Sequence, residues 1–259
     1  MSSELEKSST SNWTSYPRTF ANRSSLRTGE YSAREVLEWD VTNWSKAVSF
    51  WQRYAGTALR GARVLELGAR DGGLTHWLAN SGARQVTCTD LGGPSATAVA
   101  RHSEYLVEGR VIHLDLDATQ MSIEGEYDAV VIKSVLGSIA AHSGPEAVPD
   151  ALNRIQRSLT PDGVLLFAEN LAASPAHMFL RRQLVPWGDK VHYVNLQELR
   201  QLLSPFAEVH WSSAGFLGAL GRTHSQRELL GKADSLFFDW TVPRSWNYLV
   251  FGVAHKQLA

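Results

Sequence analysis

The residues best placed to bind a ligand are an acidic side chain and a glycine-containing loop at the end of a short apolar segment. Glu66 lies in the apolar run at residues 63–67, and the loop at residues 68–73 leads directly into an apolar segment of helical character. Ligands of open α/β sheets bind at the carboxyl ends of such strands. A loop that holds a pyrophosphate needs glycine at the position of Arg70, so the pattern disfavours a nicotinamide dinucleotide.

Acidic residues also follow the next two apolar segments of the chain. Asp90 follows the segment at residues 85–89, where a carboxylate can accept hydrogen bonds from both ribose hydroxyls of a bound nucleoside. Asp115 and Asp117 follow the segment at residues 110–114, and each of them is either a ligand-binding residue or a solvated turn residue. The spacing therefore predicts a nucleoside-type ligand at this edge of the sheet.

These segments resemble the first motifs of class I S-adenosylmethionine-dependent methyltransferases. The loop of that family is written E/D-x-G-x-G-x-G; Glu66, Gly68 and Gly72 match it, and Arg70 replaces the middle glycine. S-adenosylmethionine has no phosphate. The resemblance therefore implies that loop backbone groups approach its methionyl part, while Glu66 faces its ammonium group directly or through water. The Arg70 backbone is then expected to line the site with its side chain turned away.

The resemblance to this family extends over residues 63–170. The Asp-Ala step at Asp117 implies a carboxylate that accepts from the adenine amino group, with Asp115 as the alternative, and Leu91 is expected to touch the adenine face. Lys133 ends the fourth strand, where it is either a partner of cofactor or acceptor or a plain surface lysine. The residues assigned to the cofactor are Glu66, Gly68, Ala69, Arg70, Gly72, Asp90, Leu91, Leu116, Asp117, Ala118 and Lys133.

Candidates for acceptor chemistry follow the fifth strand. Methyl transfer from a sulfonium is an in-line displacement that depends mainly on alignment, and a general base is needed only for some acceptors. A histidine here is alternatively a helix-surface residue or a satisfied core residue. Metal-ligand spacing is absent, so we expect no metal and disfavour a metal-dependent catechol mechanism. The catalytic candidates are His177, Glu169, His192 and Tyr193, and Asn170, Arg181 and Trp187 are further acceptor contacts.

The elements that must position these residues alternate between strand and helix from residue 63 onward, which predicts parallel strands joined by crossover helices. Two later strands, near residues 208–212 and 246–254, are expected to pair and to close the sheet. The predicted fold class is α/β. It is a Rossmann-like, mostly parallel seven-stranded sheet with helices on both faces and an antiparallel last strand, plus an N-terminal helical lid.

Composition divides the chain into three parts. Residues 1–28 are rich in Ser, Thr, Asn and Arg, which predicts a disordered or loosely docked segment. Residues 29–60 have helical periodicity and are expected to form a lid over the cofactor, or alternatively to pack permanently on the sheet. Residues 61–259 form the predicted S-adenosylmethionine-binding domain, with acceptor-side insertions around residues 171–195 and 215–245.

Nine tryptophans are many for 259 residues, and four of them precede the cofactor strand. Core packing is one explanation for them. An aromatic enclosure for a flat or cationic acceptor is the other, because indole faces stack on rings and attract positive charge. The four early residues are Trp13, Trp39, Trp44 and Trp51.

Charge and cysteine content limit the partners. The 25 Lys and Arg residues nearly balance 26 Asp and Glu residues, so the chain has no field that would gather nucleic acid. Cys88 is the only cysteine, which excludes an internal disulfide framework or a Cys-based zinc cluster and predicts a buried thiol. Neither a signal peptide nor an apolar run of about 20 residues is present. We therefore expect a cytoplasmic monomer or homodimer without membrane contact.

These observations predict an enzyme that transfers the methyl group of S-adenosylmethionine to a small-molecule acceptor, such as an aromatic or nitrogenous metabolite of specialised metabolism. Methylation of an amino-acid or glycan precursor is the alternative. A catalytically inactive, methyltransferase-like interaction module is the non-enzyme alternative, which the intact Glu66, Gly68, Asp90 and Asp117 argue against. The sequence leaves open which acceptor is used and whether carbon, nitrogen or oxygen is methylated.

Overall fold

One eight-stranded sheet organises the chain. The computed structural model describes residues 12–18, 32–184 and 192–256. The strands are β1 (Trp13–Ser15), β2 (Arg63–Leu67), β3 (Gln85–Asp90), β4 (Val111–Asp115), β5 (Tyr127–Lys133), β6 (Leu159–Asn170), β7 (Glu208–Ala214) and β8 (Leu249–His255). Their order across the sheet is β1-β7-β8-β6-β5-β2-β3-β4.

Strand direction confirms the predicted fold class. All neighbouring strands are parallel except β8, which runs antiparallel to both β6 and β7. The seven expected strands are present, and β1 adds an eighth at the edge. Because β8 is reversed, its first residue, Leu249, lies opposite Asn170 at the carboxyl end of β6. The start of β8 therefore belongs to the same sheet edge as the ends of the parallel strands.

Helices cover both faces of the sheet. The helices are α1 (Ala33–Leu37), α2 (Val41–Leu59), α3 (Gly73–Asn80), α4 (Ala96–Glu104), α5 (Leu136–Ser143), α6 (Ala147–Ser158), α7 (Pro175–Leu184), α8 (Leu196–Leu202), α9 (His224–Ala233) and α10 (Asp239–Thr241). One core layer lies between the sheet and α2 with α3, and the other lies between the sheet and α5, α6 and α8. This two-sided covering explains the nearly continuous apolar sequence of the central strands. No helix among the described residues is long and apolar enough to cross a bilayer.

Helix α2 packs on the sheet, which is the alternative interpretation of residues 29–60, and does not form the expected lid. Trp44 and Trp51 are fully buried in the core against the sheet, and the Trp51 Nε1 donates to the Gly252 carbonyl of β8 at 3.0 Å. Each large apolar side chain buried in this way contributes about 1.5–3 kcal/mol, so α2 is a core element rather than a lid. A lid helix and a core helix can both have an amphipathic, tryptophan-rich sequence, so the pattern alone does not distinguish them. Residues 32–40 lie beside the glycine loop, where Glu38 pairs with Arg70, and their Val36 and Leu37 are buried in the same core. The lid stays a proposal for this part alone.

The N-terminal segment also departs from expectation where the structure describes it. Residues 12–18 contain β1, which pairs parallel with β7, so this part is an edge strand rather than a disordered or loosely docked segment. The ring centroids of Trp13 and Trp211 lie 5.5 Å apart, and the Arg18 guanidinium donates to the Val242 carbonyl at 2.7 Å. The other residues of the range 1–28 lie outside the described part.

The expected insertion at residues 215–245 consists mainly of α9, the π-helical turn Asp234–Phe238 and α10. Polar residues of this segment form hydrogen bonds with residues of α2. Gly231 makes the close approach possible, because a Cβ at this position would lie 2.8 Å from the Cβ of Thr42. The buried residues of the turn and of α10 then reach the first two turns of α2. The segment is therefore anchored in the fold, although many of its side chains remain exposed.

Candidate cofactor and acceptor site

The glycine loop after β2 takes up left-handed backbone conformations. The φ angles of Gly68 and Gly72 are +71° and +70°, and a Cβ at Gly68 would lie 2.9 Å from Val135 Cγ2. Arg70 also has positive φ, at +50°, although its family counterpart is glycine. Its side chain is 67% exposed and pairs with Glu38 at 3.4 Å. The Arg70 side chain thus points away from the loop, as the sequence suggested, and touches the segment before α2.

Asp90 holds this loop in place. Its Oδ2 accepts the backbone N–H of Arg70 at 2.8 Å, and its Oδ1 accepts that of Leu91 at 2.9 Å. The loop is also tied to β3 by the Ala69 N–H, which donates to the Thr89 carbonyl at 2.9 Å. A carboxylate oxygen has two lone pairs, so both oxygens can still accept from ribose hydroxyls. The positioning of the loop by Asp90 is a role that the motif did not reveal.

The two aspartates after β4 both support turns. Asp117 Oδ1 accepts from the N–H of Thr119 at 2.8 Å and from its hydroxyl at 2.7 Å, whereas Asp115 Oδ1 accepts the N–H of Gly92 at 2.9 Å. Ala118 is buried between them and the core, Leu116 is half-buried, and Leu91 is 62% exposed. The three apolar residues border the loops after β3 and β4. Recognition of adenine by Asp117 stays a prediction.

Glu66 is buried below the glycine loop. It accepts a hydrogen bond from the Thr75 hydroxyl of α3, which fixes its orientation. Burial raises the pKa of Glu66 to about 8, against the opposing effects of the Thr75 hydrogen bond and the Lys133 charge. The free protein therefore holds a largely protonated carboxyl group at neutral pH. A cationic group placed next to it would favour the ionised form.

Lys133 is not the plain surface lysine of the alternative interpretation. It is half-buried at the end of β5, and its Nζ lies 5.2 Å from the centroid of the Trp44 ring. Burial lowers the pKa of Lys133, while the charges of Glu38, Glu66 and Glu169 act in the opposite direction. Lys133 therefore connects the cofactor edge of the sheet to the first turn of α2.

Glu169, one of the catalytic candidates, caps a helix. Its Oε1 accepts the N–H groups of Val135 at 2.8 Å and Leu136 at 3.1 Å, at the start of α5. Burial raises the pKa of Glu169 to about 7, and these two hydrogen bonds oppose the shift. The preceding Ser134 has a φ of +58°, which is unusual for a residue with a side chain. Strained backbone of this kind clusters at ligand sites.

His177 and Arg181 of α7 are buried beside Asn170. The His177 ring stacks on Tyr248 with centroids 5.8 Å apart and an interplanar angle of 11°. Burial, together with the Arg181 charge, lowers the pKa of His177 to about 4, so its imidazole is neutral at physiological pH.

The Arg181 guanidinium donates to Asn170 Oδ1 at 3.0 Å and stacks on Tyr193, 4.2 Å from the ring centroid. Asn170 in turn donates to the Ser134 hydroxyl at 2.8 Å. These contacts connect α7 to the end of β5.

The remaining catalytic candidate, His192, contacts the start of α8. Its side chain is 38% exposed, and its Nε2 lies 3.5 Å from Glu198 Oε1 at the start of α8. This contact is typical of the surface histidine that the sequence left as an alternative. Asn195 and Glu198 form the capping box of α8, as predicted. Trp187 lies outside the described residues.

A buried polar cluster at the same sheet edge was missed by the sequence analysis. Tyr248 donates to Asp40, Asn43 donates to Asp234 at 3.0 Å, and Lys46 donates to Asp239 at 2.6 Å. Burial raises the pKa of Asp40 to about 7. The only advance signals were the break in helical periodicity near residues 40–43 and acidic residues within an aromatic segment. We call the set the buried polar cluster: Asp40, Asn43, Lys46, Asp234, Asp239 and Tyr248.

Comparison with known proteins agrees with this geometry. A family model described as a methyltransferase domain matches residues 42–206. The ubiquinone biosynthesis O-methyltransferase of Xanthomonas campestris pv. campestris (strain B100) is 39% identical over 129 residues, which cover 47% of this chain and 48% of that protein. The chain thus spans about half the length of the curated relatives it matches.

Two solved structures share the fold at low sequence identity. Haemonchus contortus phosphoethanolamine N-methyltransferase 2, solved with phosphomonomethylethanolamine and S-adenosylhomocysteine, is 17% identical with a TM-score of 0.57 and covers 83% of this chain and 53% of its own. Burkholderia thailandensis 1,6-didemethyltoxoflavin-N1-methyltransferase, solved with 1,6-didemethyltoxoflavin and S-adenosylhomocysteine, is 19% identical with a TM-score of 0.53 and covers 82% and 76%. The chain therefore belongs to the methyltransferase-domain family, within the class I S-adenosylmethionine-dependent methyltransferases.

Proposed function

We propose that this protein transfers the methyl group of S-adenosylmethionine to a hydroxyl oxygen of a small-molecule acceptor. The observation that carries the proposal is the meeting of two features at one sheet edge. The glycine loop and Asp90 lie at the ends of β2 and β3, and the buried, neutral His177 lies beyond the ends of β5 and β6. The choice of oxygen is supported by the curated O-methyltransferase that matches over half its length.

The cofactor would lie along the loops after β2, β3 and β4. Glu66 would face the ammonium group, and Asp90 would accept from the ribose hydroxyls while it holds the loop. Adenine would lie among Leu91, Leu116 and Ala118, with Asp117 near its amino group. The backbone of Ala69, Arg70 and Gly72 would border the methionyl part. The left-handed loop conformation supports this arrangement, because it brings backbone rather than side chains toward the ligand.

The reaction would be an in-line displacement at the methyl carbon. The acceptor oxygen forms a bond to this carbon as the carbon–sulfur bond breaks, and S-adenosylhomocysteine leaves with the electron pair of that bond. The hydroxyl proton passes to a base. His177 is available for this role because its imidazole is neutral at physiological pH. Its lowered pKa makes it a weak base, so alignment of the acceptor would supply most of the rate. Glu169 is less suited, since its Oε1 already accepts two backbone N–H groups.

The acceptor would lie between Lys133, Trp39 and α7. The Trp39 and Trp44 ring centroids are 6.2 Å apart, and Lys133 lies over Trp44. Trp39 is half-buried, whereas Trp44 and Trp51 belong to the core. The aromatic enclosure is therefore proposed for Trp39 and for the edge of Trp44, and core packing accounts for Trp51. Tyr193 would help to shape the acceptor site by stacking on the guanidinium of Arg181, which belongs to α7.

The experiment uses S-adenosylmethionine labelled with carbon-13 in its methyl group and two matched acceptor series, hydroxybenzoates and aminobenzoates. Product NMR separates O-methyl from N-methyl groups. We expect label on oxygen, a loss of at least about 100-fold in turnover for His177→Ala, and unchanged turnover for the control His142→Ala, whose side chain is exposed. Label on nitrogen alone, or full activity of His177→Ala, would contradict the proposal.

A further inference from the structure

A row of polar side chains crosses the buried sheet below the glycine loop. The register places Glu66 of β2 opposite Cys88 of β3, and Cys88 opposite His113 of β4. Cys88 is fully buried and His113 is half-buried. A parallel sheet covered by helices is normally apolar on both faces. Cys88 lies on a covered strand and His113 on the edge strand β4, so the register places an imidazole directly beside a buried thiol.

His102 of helix α4 is the third polar residue of this group. It is fully buried, and its Nδ1 lies 2.8 Å from His113 Nε2. Its other nitrogen, Nε2, lies 2.9 Å from the carbonyl oxygen of Gly72. A carbonyl only accepts, so Nε2 carries the hydrogen and the lone pair of Nδ1 faces His113. A ring nitrogen bound to a backbone carbonyl in this way is what metal-ligating histidines almost always have.

We propose that Cys88, His102 and His113 bind a divalent transition-metal ion such as Zn²⁺. The three donor atoms, one sulfur and two nitrogens, lie within 4.8 Å of one another. A thiolate with two imidazoles is a ligand set that zinc favours, and a water molecule could take a fourth, tetrahedral position on the half-buried side of His113. On binding, the thiol releases its proton to solvent, His113 shifts its hydrogen from Nε2 to Nδ1, and the metal takes the place of the hydrogen bond between the two imidazoles.

The ligands must shift to accept the ion. Zinc bonds of about 2.3 Å to sulfur and 2.0–2.1 Å to nitrogen place these atoms about 3.6 Å apart, so Cys88 Sγ, which lies within 4.8 Å of both nitrogens, must approach by up to roughly 1.2 Å. Zinc–nitrogen bonds of 2.0–2.1 Å in tetrahedral geometry place two ligand nitrogens about 3.3 Å apart. The two histidine nitrogens are 2.8 Å apart, so His113 must move by roughly 0.5 Å. His113 is the least buried of the three ligands and can move most easily. Burial raises the pKa of the Cys88 thiol to about 12 in the metal-free protein, so the ion must displace a firmly held proton.

This site could not be expected from sequence spacing. The three ligands come from β3, α4 and β4, and only strand register brings Cys88 and His113 together. The expectation of no metal rested on spacing along the chain and on the single cysteine. The site would also act on the cofactor loop, because a Cβ at Gly72 would lie only 2.7 Å from the His102 ring. A metal that fixes His102 is therefore expected to change the affinity for S-adenosylhomocysteine.

The test is a titration of the chelator-treated full chain with Co²⁺, a coloured substitute for Zn²⁺, followed by displacement with Zn²⁺. Binding through sulfur produces a thiolate-to-cobalt charge-transfer band. We expect one ion per chain for the wild type and for the control His142→Gln. Cys88→Ala should lose the band, and His113→Gln should bind at least about 10-fold more weakly. Circular dichroism and a cooperative unfolding transition establish that each variant is folded.

Each outcome of this titration decides the proposal. Absence of stoichiometric binding by the wild type would overturn it, and so would a band that survives in Cys88→Ala. If Cys88→Ala does not fold, His113→Gln decides the matter, because that side chain is half-buried and the substitution keeps a polar group. Wild-type affinity of His113→Gln would then overturn the site.

Discussion

The two halves of the sheet edge are held together over very different distances along the chain. In the cofactor half, the hydrogen bond between Arg70 and Asp90 joins residues 20 positions apart. In the other half, called the acceptor half because the proposed acceptor site lies there with the buried polar cluster, the bond between Asn43 and Asp234 joins residues 191 positions apart. The bond between Tyr248 and Asp40 joins residues 208 positions apart. A ligand site built from adjacent loops leaves a short motif, whereas one built by packing distant segments leaves almost none.

The halves also differ in what their polar groups do. Loop residues of the cofactor half such as Arg70 and Asp90 are exposed or half-buried, so their loss should weaken binding and spare the fold. Residues of the buried polar cluster satisfy one another in the core, where an unpaired group is costly. Mutations in the two halves should therefore separate into binding defects and stability defects.

The largest effect is expected from Lys46→Met in the acceptor half. Lys46 is fully buried and its Nζ lies 2.6 Å from Asp239, so its removal leaves a buried carboxylate without its cation. We expect a loss of about 3–5 kcal/mol in the free energy of unfolding, measured by denaturant titration. The matched control is Lys232→Met, whose side chain is 60% exposed beside Glu228 and whose effect should stay within about 0.5 kcal/mol. Equal stability of the two variants would refute the distinction.

In the cofactor half, Gly68→Val should abolish cofactor binding. The valine would take a left-handed conformation that costs about 1–2 kcal/mol, and its Cβ would meet Val135 at 2.9 Å. We expect at least a 100-fold loss of affinity for S-adenosylhomocysteine by calorimetry. Gly109→Val is the control, because a Cβ there meets nothing within 4 Å and φ is not positive. Normal binding by Gly68→Val would remove the loop from the site.

A smaller loss is expected from Asp90→Ala. The substitution removes two charge-assisted hydrogen bonds to loop N–H groups and the proposed bonds to ribose. We expect affinity for S-adenosylhomocysteine to fall about 10- to 100-fold while the unfolding transition stays cooperative. Asp162→Ala, at an exposed position before the buried part of β6, should bind normally. Wild-type affinity of Asp90→Ala would reject its role in both loop and ligand.

The smallest effect concerns pH. The pKa of Glu66 is raised to about 8, so the carboxyl group of the free protein is mostly protonated at about pH 6.5. A bound ammonium group favours the carboxylate, so binding releases a proton and affinity should rise with pH and level off above about pH 8. We expect roughly a tenfold gain between about pH 6.5 and about pH 8, absent in Glu66→Gln. An equal slope in Glu66→Gln would assign the titration to another group.

The same comparison explains what the sequence could predict. The order of strands and helices, the glycine loop and Asp90 follow from local patterns, and the structure contains all of them. The role of α2 could not be predicted from the sequence, because an apolar face with Trp44 and Trp51 is expected for a lid helix and for a core helix alike. Strand β1 has only three residues, too few for a periodic signal. The buried polar cluster depends on tertiary contacts of Asp40 with Tyr248 and of Lys46 with Asp239, which no local rule contains.

Amide hydrogen exchange of the full chain with and without S-adenosylhomocysteine tests where the cofactor binds. The account predicts new protection at residues 68–73, 90–92 and 116–118, and at the proposed lid, residues 32–40. The buried part of α2 and strand β8 should be slow to exchange in both states, because they already lie in the core. Protection confined to α2 or β8, or no change at the glycine loop, would contradict the placement of the cofactor.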